Sequence, residues 1–286
     1  LLRDVPFTLA TRALGRPLFV KWHGCEVELL STSRPLWRLL GWMLLRGVAG
    51  LGVLSNAERE AVRRRRPATR CWVVCNALDL RRYEQRPDLR ARLGVPAGSP
   101  LLLFIGRLIP AKGLLDVVQA LGGPAARHDA HLVVVGDGPS RAAATQRARD
   151  LGLEGRVHFT GAVPESATAD FYCGCDALVF PTYHAEGFPM TVFQSLAGGL
   201  GIVTTRLAAT ADWLRDPENC LFVPPREPAA LERALLRLLG DPELLGGMRR
   251  ANRELARRFE RGRVAVDFES IYAQLLGVPE RAGRSG

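Results

Sequence analysis

The sequence predicts an α/β protein built on parallel sheets, and three observations carry that prediction. After Pro100, apolar runs begin near Leu101, His131, Val157, Asp176, Gly201 and Cys220. Helical patterns separate most of them, which is the spacing of βαβ units. The runs are continuous rather than alternating, as strands covered on both faces must be. A shorter version of the rhythm precedes Pro100, with strands expected at Pro17–Lys21, Gly50–Leu54 and Cys71–Val74. A chain of 286 residues, 47% hydrophobic and 24% charged, has room for two such domains. The expected division is a Rossmann-like domain over 1–85, a Pro- and Arg-rich linker over 86–100, and a second Rossmann-like domain over 101–262. A helix over 263–278 returns to the first domain, and 279–286 is a disordered tail.

Each element has a local reason. Residues 3–15 carry a short helical pattern. The strand PLFVK ends in Trp22, His23 and Gly24, and ligands of open parallel sheets sit beyond the carboxyl ends of strands, so His23 is a candidate site residue. A satisfied structural histidine is the alternative. Pro35–Arg46 is an apolar helix with Arg38 and Arg46 two turns apart; the pattern suits core packing, and also a membrane surface with Trp37 and Trp42 at the interface. Ser55 and Glu58 form a capping-box pattern before a helix that ends in Arg63–Arg66 and is stopped by Pro67. Those arginines complement the helix's negative end, with anionic lipid as the sharper alternative. Pro228–Leu239, Asp241–Arg258 and Val264–Leu276 close the chain as helices.

Composition excludes more than it assigns. The net charge of +10 comes from basic residues spread along the whole chain, nearly all arginine, so a nucleic-acid stripe is not expected. Lys21 and Lys112 are the two lysines, and the bias draws attention to Lys112, because a lysine kept where arginine serves elsewhere suggests a place that needs a compact ammonium. The six cysteines have no zinc-ligand spacing and read as reduced, mostly buried residues. No run of 18 apolar residues and no signal peptide is present, so a cytoplasmic protein is expected. The chain begins at Leu1, and residues 1–20 do not resemble a finished domain start, so a fragment of a longer chain is expected.

The chemistry concentrates in three strand-end loops. PTYHAEGFPMTVFQSLAGGLGIVTT (181–205) sets Glu186 before Gly187, Phe188 and Pro189 and then opens a helix at Thr191 that ends near Gly198 and Gly199. First-turn N–H groups and the helix dipole attract an anion, Gly187 admits close backbone, and a carboxylate just outside suits sugar hydroxyls. Thr191 with Gln194 also fits a capping box, which explains Gln194 without any ligand. In FIGRLIPAKG, Gly106, Arg107, Lys112 and Gly113 form a loop able to clamp a diphosphate. It is neither a G-x4-GK[ST] nor a G-x-G-x-x-G loop. In HLVVVGDGP the turn through Gly136, Asp137 and Gly138 admits a flat ring, or is simply a tight strand-to-helix turn.

Taken together, GRLIPAKG, VVVGDGP, VHFTGAVP and EGFPMTVFQSLAGG followed by IVTT resemble the donor-binding domain of family 4 glycosyltransferases, which have the GT-B fold. Residues 17–85 resemble, more weakly, the second half of that family's N-terminal, acceptor-side domain, which would be incomplete here. The resemblance implies transfer of a hexose from a UDP- or GDP-linked sugar to a glycan or lipid acceptor, with retention and with no required metal or cofactor. It assigns Arg107 and Lys112 to the diphosphate and Glu186 to the sugar hydroxyls. Backbone at Gly187, Phe188 and Thr191 would meet sugar and phosphate oxygens, Gly106, Gly136 and Gly138 would shape the donor loops, and Val163 would meet the base. His23 would face the reacting centre. Three departures stand out. Gln194 replaces a glutamate that grips ribose, Pro189 replaces a frequent glycine, and RLAATAD (206–212) replaces a Gly-Gly. A non-catalytic nucleotide-sugar-binding protein and a nucleotide-sugar epimerase are the alternatives. The acceptor class, in bacterial-type glycolipid or surface polysaccharide synthesis, is a prior rather than a derivation; the basic, tryptophan-bearing helix 35–46, which could meet anionic lipid on the inner face of the membrane, lends it some support.

Overall fold

The computed structural model describes residues 4–24, 34–85, 87–123 and 128–279. They fall into two compact units, one within Leu1–Ala77, Ala185–Phe188 and Arg261–Gly286, the other within Leu78–His184 and Pro189–Glu260. Cys25 and the tail from 280 lie outside the described residues.

The first unit opens with α1 (Asp4–Ala13), β1 (Phe19–Lys21), α2 (Pro35–Leu45), β2 (Gly50–Val53), α3 (Asn56–Arg65) and β3 (Cys71–Val73). Its strands run parallel in the order β1-β2-β3, with Phe19 opposite Gly50 and Leu51 opposite Cys71. Trp22, Leu45, Leu51, Val53 and Val62 form its core. At the start of α3 the Glu58 N–H donates to Ser55 Oγ at 3.2 Å. The reciprocal bond is displaced by one residue, because Glu58 Oε2 accepts from Leu54 N–H at 2.8 Å rather than from Ser55.

The second unit contains α4 (Leu89–Leu93), β4 (Leu101–Ile105), α5 (Leu114–Gly122), β5 (His131–Val135), α6 (Ser140–Asp150) and β6 (Val157–Gly161). It continues with α7 (Thr168–Gly174), β7 (Ala177–Phe180), α8 (Met190–Gly198), β8 (Gly201–Thr204), α9 (Ala208–Trp213), β9 (Leu221–Phe222), α10 (Pro228–Gly240) and α11 (Pro242–Ala256). All six strands are parallel, in the order β6-β5-β4-β7-β8-β9. Every residue of β4, β5, β7 and β8 is buried, which is why these strands read as unbroken apolar runs. Each Leu, Val or Phe removed from water there contributes about 1.5–3 kcal/mol. The strand order reverses between β4 and β7, the position at which doubly wound sheets leave a crevice for ligands.

The last helix, α12 (Arg261–Leu276), belongs to the first unit. The Phe19 ring meets Phe268 and Tyr272 edge-on at 6.1 and 5.7 Å, and Arg70 donates to the Gln274 carbonyl at 3.1 Å.

The segment 86–100 differs from the expected linker. It contains α4, whose Asp88 accepts from Ala91 N–H at 3.0 Å and whose end turns through Gly94 at φ 66°. Arg90 on α4 pairs with Asp176, which also accepts from Leu101 N–H at 2.8 Å and from Arg249 on α11 at 3.2 Å. The ion cluster ties this segment into the second unit, and the division between units falls at Ala77 and Leu78. Cys71, Cys75, Cys173, Cys175 and Cys220 are free thiols. Burial pushes Cys71 up to about 11 and Cys220 to about 12, so these thiols stay protonated and unreactive near neutral pH.

Candidate functional site

At the switch point of the second unit, three strand-end loops are laced to one another through their backbones. Gly106 N–H donates to the Val135 carbonyl at 3.0 Å, and Gly136 N–H to the Gly161 carbonyl at 2.8 Å. Leu108 N–H donates to the Asp137 carbonyl at 2.9 Å, and Ser140 N–H to the Leu108 carbonyl at 2.8 Å. Gly136 sits at φ 129°, and a Cβ there would lie 1.9 Å from the Gly106 carbonyl oxygen. A Cβ on Gly138 would lie 2.6 Å from the Leu108 oxygen. The close approach that the two glycines permit is between loops of the protein itself, so the turn reading accounts for them without a ligand.

Two cations stand on the first of these loops. Arg107 is exposed, whereas Lys112, at the end of a 3₁₀ turn over Pro110–Lys112, is only 7% exposed. Lys112 Nζ lies 5.2 Å from the centre of the Phe180 ring, at the end of β7. A Cβ on Gly106 would touch the same ring at 3.8 Å. One charge is thus largely removed from water and fixed between β4 and β7, while the other is carried at the surface.

Helix α8 begins at the same place. Thr191 Oγ1 reaches the Ile105 carbonyl at 3.4 Å, which joins its first turn to the end of β4. Pro189 occupies the N-cap, no side chain caps the turn, and no acidic residue lies in it. The positive end of α8 is therefore added to Arg107 and Lys112 at the reversal of the sheet. Among the described residues, no three His, Cys, Asp or Glu side chains gather as a metal site.

The capping box expected from Thr191 and Gln194 does not form. The helix starts at Met190, so Thr191 lies inside the first turn, where its hydroxyl cannot act as N-cap. Gln194 Oε1 instead accepts from Tyr172 OH at 2.9 Å, and its Nε2 donates to Glu165 Oε1 at 3.2 Å. Arg82 Nη1 donates to the same oxygen at 3.1 Å. Burial pushes the Tyr83 phenol up to about 12 and the Tyr172 phenol up further, which keeps both protonated. Glu165 was not singled out from the sequence. The signal available was its position in VPES, two residues after Val163, in the loop that follows β6.

His23, Glu186, Gly187 and Phe188 lie in the first unit, although the last three were expected in the domain over 101–262. Trp22 N–H donates to the Gly52 carbonyl at 2.8 Å and its ring is buried, while His23 is exposed just past the strand. The reason for the grouping is a backbone contact. A Cβ on Gly24 would lie 2.8 Å from Gly187 N, and a Cβ on Gly187 would lie 2.6 Å from Gly24 Cα. His23 and Glu186 each precede one partner of that contact.

This architecture, two parallel-sheet Rossmann-like units with a three-stranded first sheet, is the GT-B fold, and the sequence comparisons agree. The chain belongs to the family of glycosyl transferases group 1, whose profile matches residues 99–241. A 2-deoxystreptamine glucosyltransferase of Streptomyces kanamyceticus is 29% identical over 285 residues, which cover 94% of this chain and 73% of that relative. A D-inositol 3-phosphate glycosyltransferase of Acidothermus cellulolyticus is 32% identical over 198 residues, 65% of this chain and 44% of the relative. Among solved structures, HepE of Anabaena in complex with UDP superposes with a TM-score of 0.80 at 21% identity, covering 96% of this chain and 76% of its own. Sucrose-phosphate synthase from Thermosynechococcus elongatus gives 0.76 at 21% identity, with 96% and 77% covered.

Proposed function

We propose that this chain binds a nucleotide-diphosphate sugar at the β4–β7 switch point and transfers its hexose to a glycan or lipid acceptor with retention of configuration. The observation that carries the reading is the meeting there of Lys112, Arg107 and the uncapped start of α8. Three sources of positive charge at one strand-end crevice suit a diphosphate, and they would stabilise it as it leaves. HepE was solved with UDP and with UDP-glucose, which supports a UDP-linked donor over a GDP-linked one.

In this reading the bond from the sugar's anomeric carbon to the diphosphate breaks as the acceptor oxygen bonds to the same face. The departing phosphate oxygen takes the acceptor's proton, and its charge is met by Arg107 and Lys112 in place of a metal. Val163 backbone is assigned to the base, Glu186 to hydroxyls of the transferred sugar, and His23 to the reacting centre. A cytoplasmic enzyme touching anionic membrane fits α2, whose Trp42 is 44% exposed with the Arg46 guanidinium 4.7 Å from its ring. Among the described residues, no helix is long and apolar enough to cross a membrane.

Retention is tested without knowing the acceptor. Slow hydrolysis of UDP-glucose by the protein, followed by proton NMR before mutarotation, should release α-glucose first. Initial release of β-glucose would overturn the stereochemical part of the reading.

A further inference from the structure

We infer that Glu165 binds the ribose diol of the donor nucleotide, and that Gln194 serves to position it. The inference rests on the donor-site reading and concerns which side chain meets the sugar of the nucleotide.

A carboxylate only accepts hydrogen bonds, so the amide nitrogen of Gln194 must face Glu165, and its oxygen then faces Tyr172. That oxygen already receives the Tyr172 hydroxyl proton. Tyr172 is fully buried, and leaving its hydroxyl unpaired would be costly, so the bond to Gln194 is well anchored. One lone pair of the Gln194 oxygen is thereby engaged, and what remains to a bound hydroxyl is a neutral acceptor, weaker than a carboxylate.

Glu165 is in the opposite condition. Its Oε1 receives both Gln194 and Arg82, and the Arg82 guanidinium also reaches the Glu165 main-chain carbonyl. These bonds fix the carboxylate plane, while Oε2 accepts no hydrogen bond from any described residue. The side chain is 69% exposed. It opens a 3₁₀ turn (Glu165–Ala167) that follows β6, the edge strand next to β5, at the carboxyl end of the sheet, where Gly161 accepts from Gly136 N–H. An oriented carboxylate with one open oxygen at a strand end of a doubly wound sheet is suited to the hydroxyls of ribose. Arg82 and Gln194 hold it there through Oε1 and leave Oε2 without a hydrogen bond from any described residue.

The test is a titration cycle with UDP, GDP and their 2′,3′-dideoxy counterparts. For the nucleotide that binds, removing both ribose hydroxyls should cost the wild-type protein about ten-fold in affinity, the usual worth of a charge-assisted hydrogen bond. Glu165→Gln should lose about as much for the ribonucleotide and then no longer distinguish it from the dideoxy form. A Gln194→Glu variant sets two carboxylates side by side and should weaken binding, whereas the exchange Glu165→Gln with Gln194→Glu should recover most of it. If Glu165→Gln still discriminates ribose from dideoxyribose as the wild type does, Glu165 only braces Arg82 and the inference fails. If Gln194→Glu alone tightens ribonucleotide binding, residue 194 is the ribose contact and the inference fails as well. Absence of binding by every nucleotide to the wild type overturns the donor-site reading itself, and this inference with it.

Discussion

His131 and His158 stand side by side on β5 and β6, Nδ1 to Nε2 at 3.0 Å with the rings stacked at 15°. Such a contact holds one shared proton, so both rings cannot be charged without breaking it. Burial lowers the pKa of each, His131 further through Arg156 against the opposing Asp129, and His158 further through His131. A base depressed in the folded state binds fewer protons there than in the unfolded chain, so stability is fully present above the ordinary histidine value and is lost as pH falls below it. Thermal melts should show a loss of Tm between pH 7 and pH 5 that is shallower in His158→Gln; equal slopes in the two proteins would contradict this. The two lysines show what single residues disclose in sequence. Burial lowers the pKa of Lys21, whose Nζ donates to Asn76 at 2.8 Å and to the Cys75 carbonyl at 3.2 Å, and Lys112 is buried at the switch point. The rarity of lysine thus drew attention to Lys112, whose side chain is enclosed. Gln194 was not legible in the same way, because its partner Tyr172 lies 22 positions away and only the fold brings them together.

At the scale of elements, the strands were legible because burial on both faces writes itself as an unbroken apolar run, and each of the six runs after Pro100 contains a strand of the second sheet. Helix starts were harder. Pro189 moves the start of α8 one residue ahead of Thr191 and thereby removes the capping box. The helix α4 was hidden by prolines on either side, although Asp88 and Gly94 carried its start and stop signals. Loop packing gives the sharpest test at this scale. Gly136→Ala forces a Cβ onto the Gly106 carbonyl at a positive φ and should cost about 3 kcal/mol or more. Gly155→Ala, with nothing within 4 Å of the new Cβ, is the control and should leave stability nearly unchanged. Urea denaturation of both variants checks the difference; equal midpoints would show that the loops around β4 and β5 yield at little cost.

On the scale of the whole molecule, the second unit takes up Leu78–His184 and Pro189–Glu260, and the chain passes through the first unit at Ala185–Phe188 between those stretches and again from Arg261. The family match over 99–241 falls almost wholly on the second unit, which carries Arg107, Lys112 and α8. The three-stranded sheet of the first unit gives less information about the acceptor, and the chain spans 73% and 44% of the two relatives compared above. The central claim therefore concerns the donor, and it predicts that nucleotide affinity depends on one buried ammonium. Isothermal titration with UDP and GDP, using Lys112→Ala as the partner protein, tests this most directly. Micromolar binding of one nucleotide, UDP by preference, is expected, with loss of that binding in Lys112→Ala while the fold is retained by circular dichroism. Binding of neither nucleotide, or binding that Lys112→Ala leaves unchanged, would contradict it.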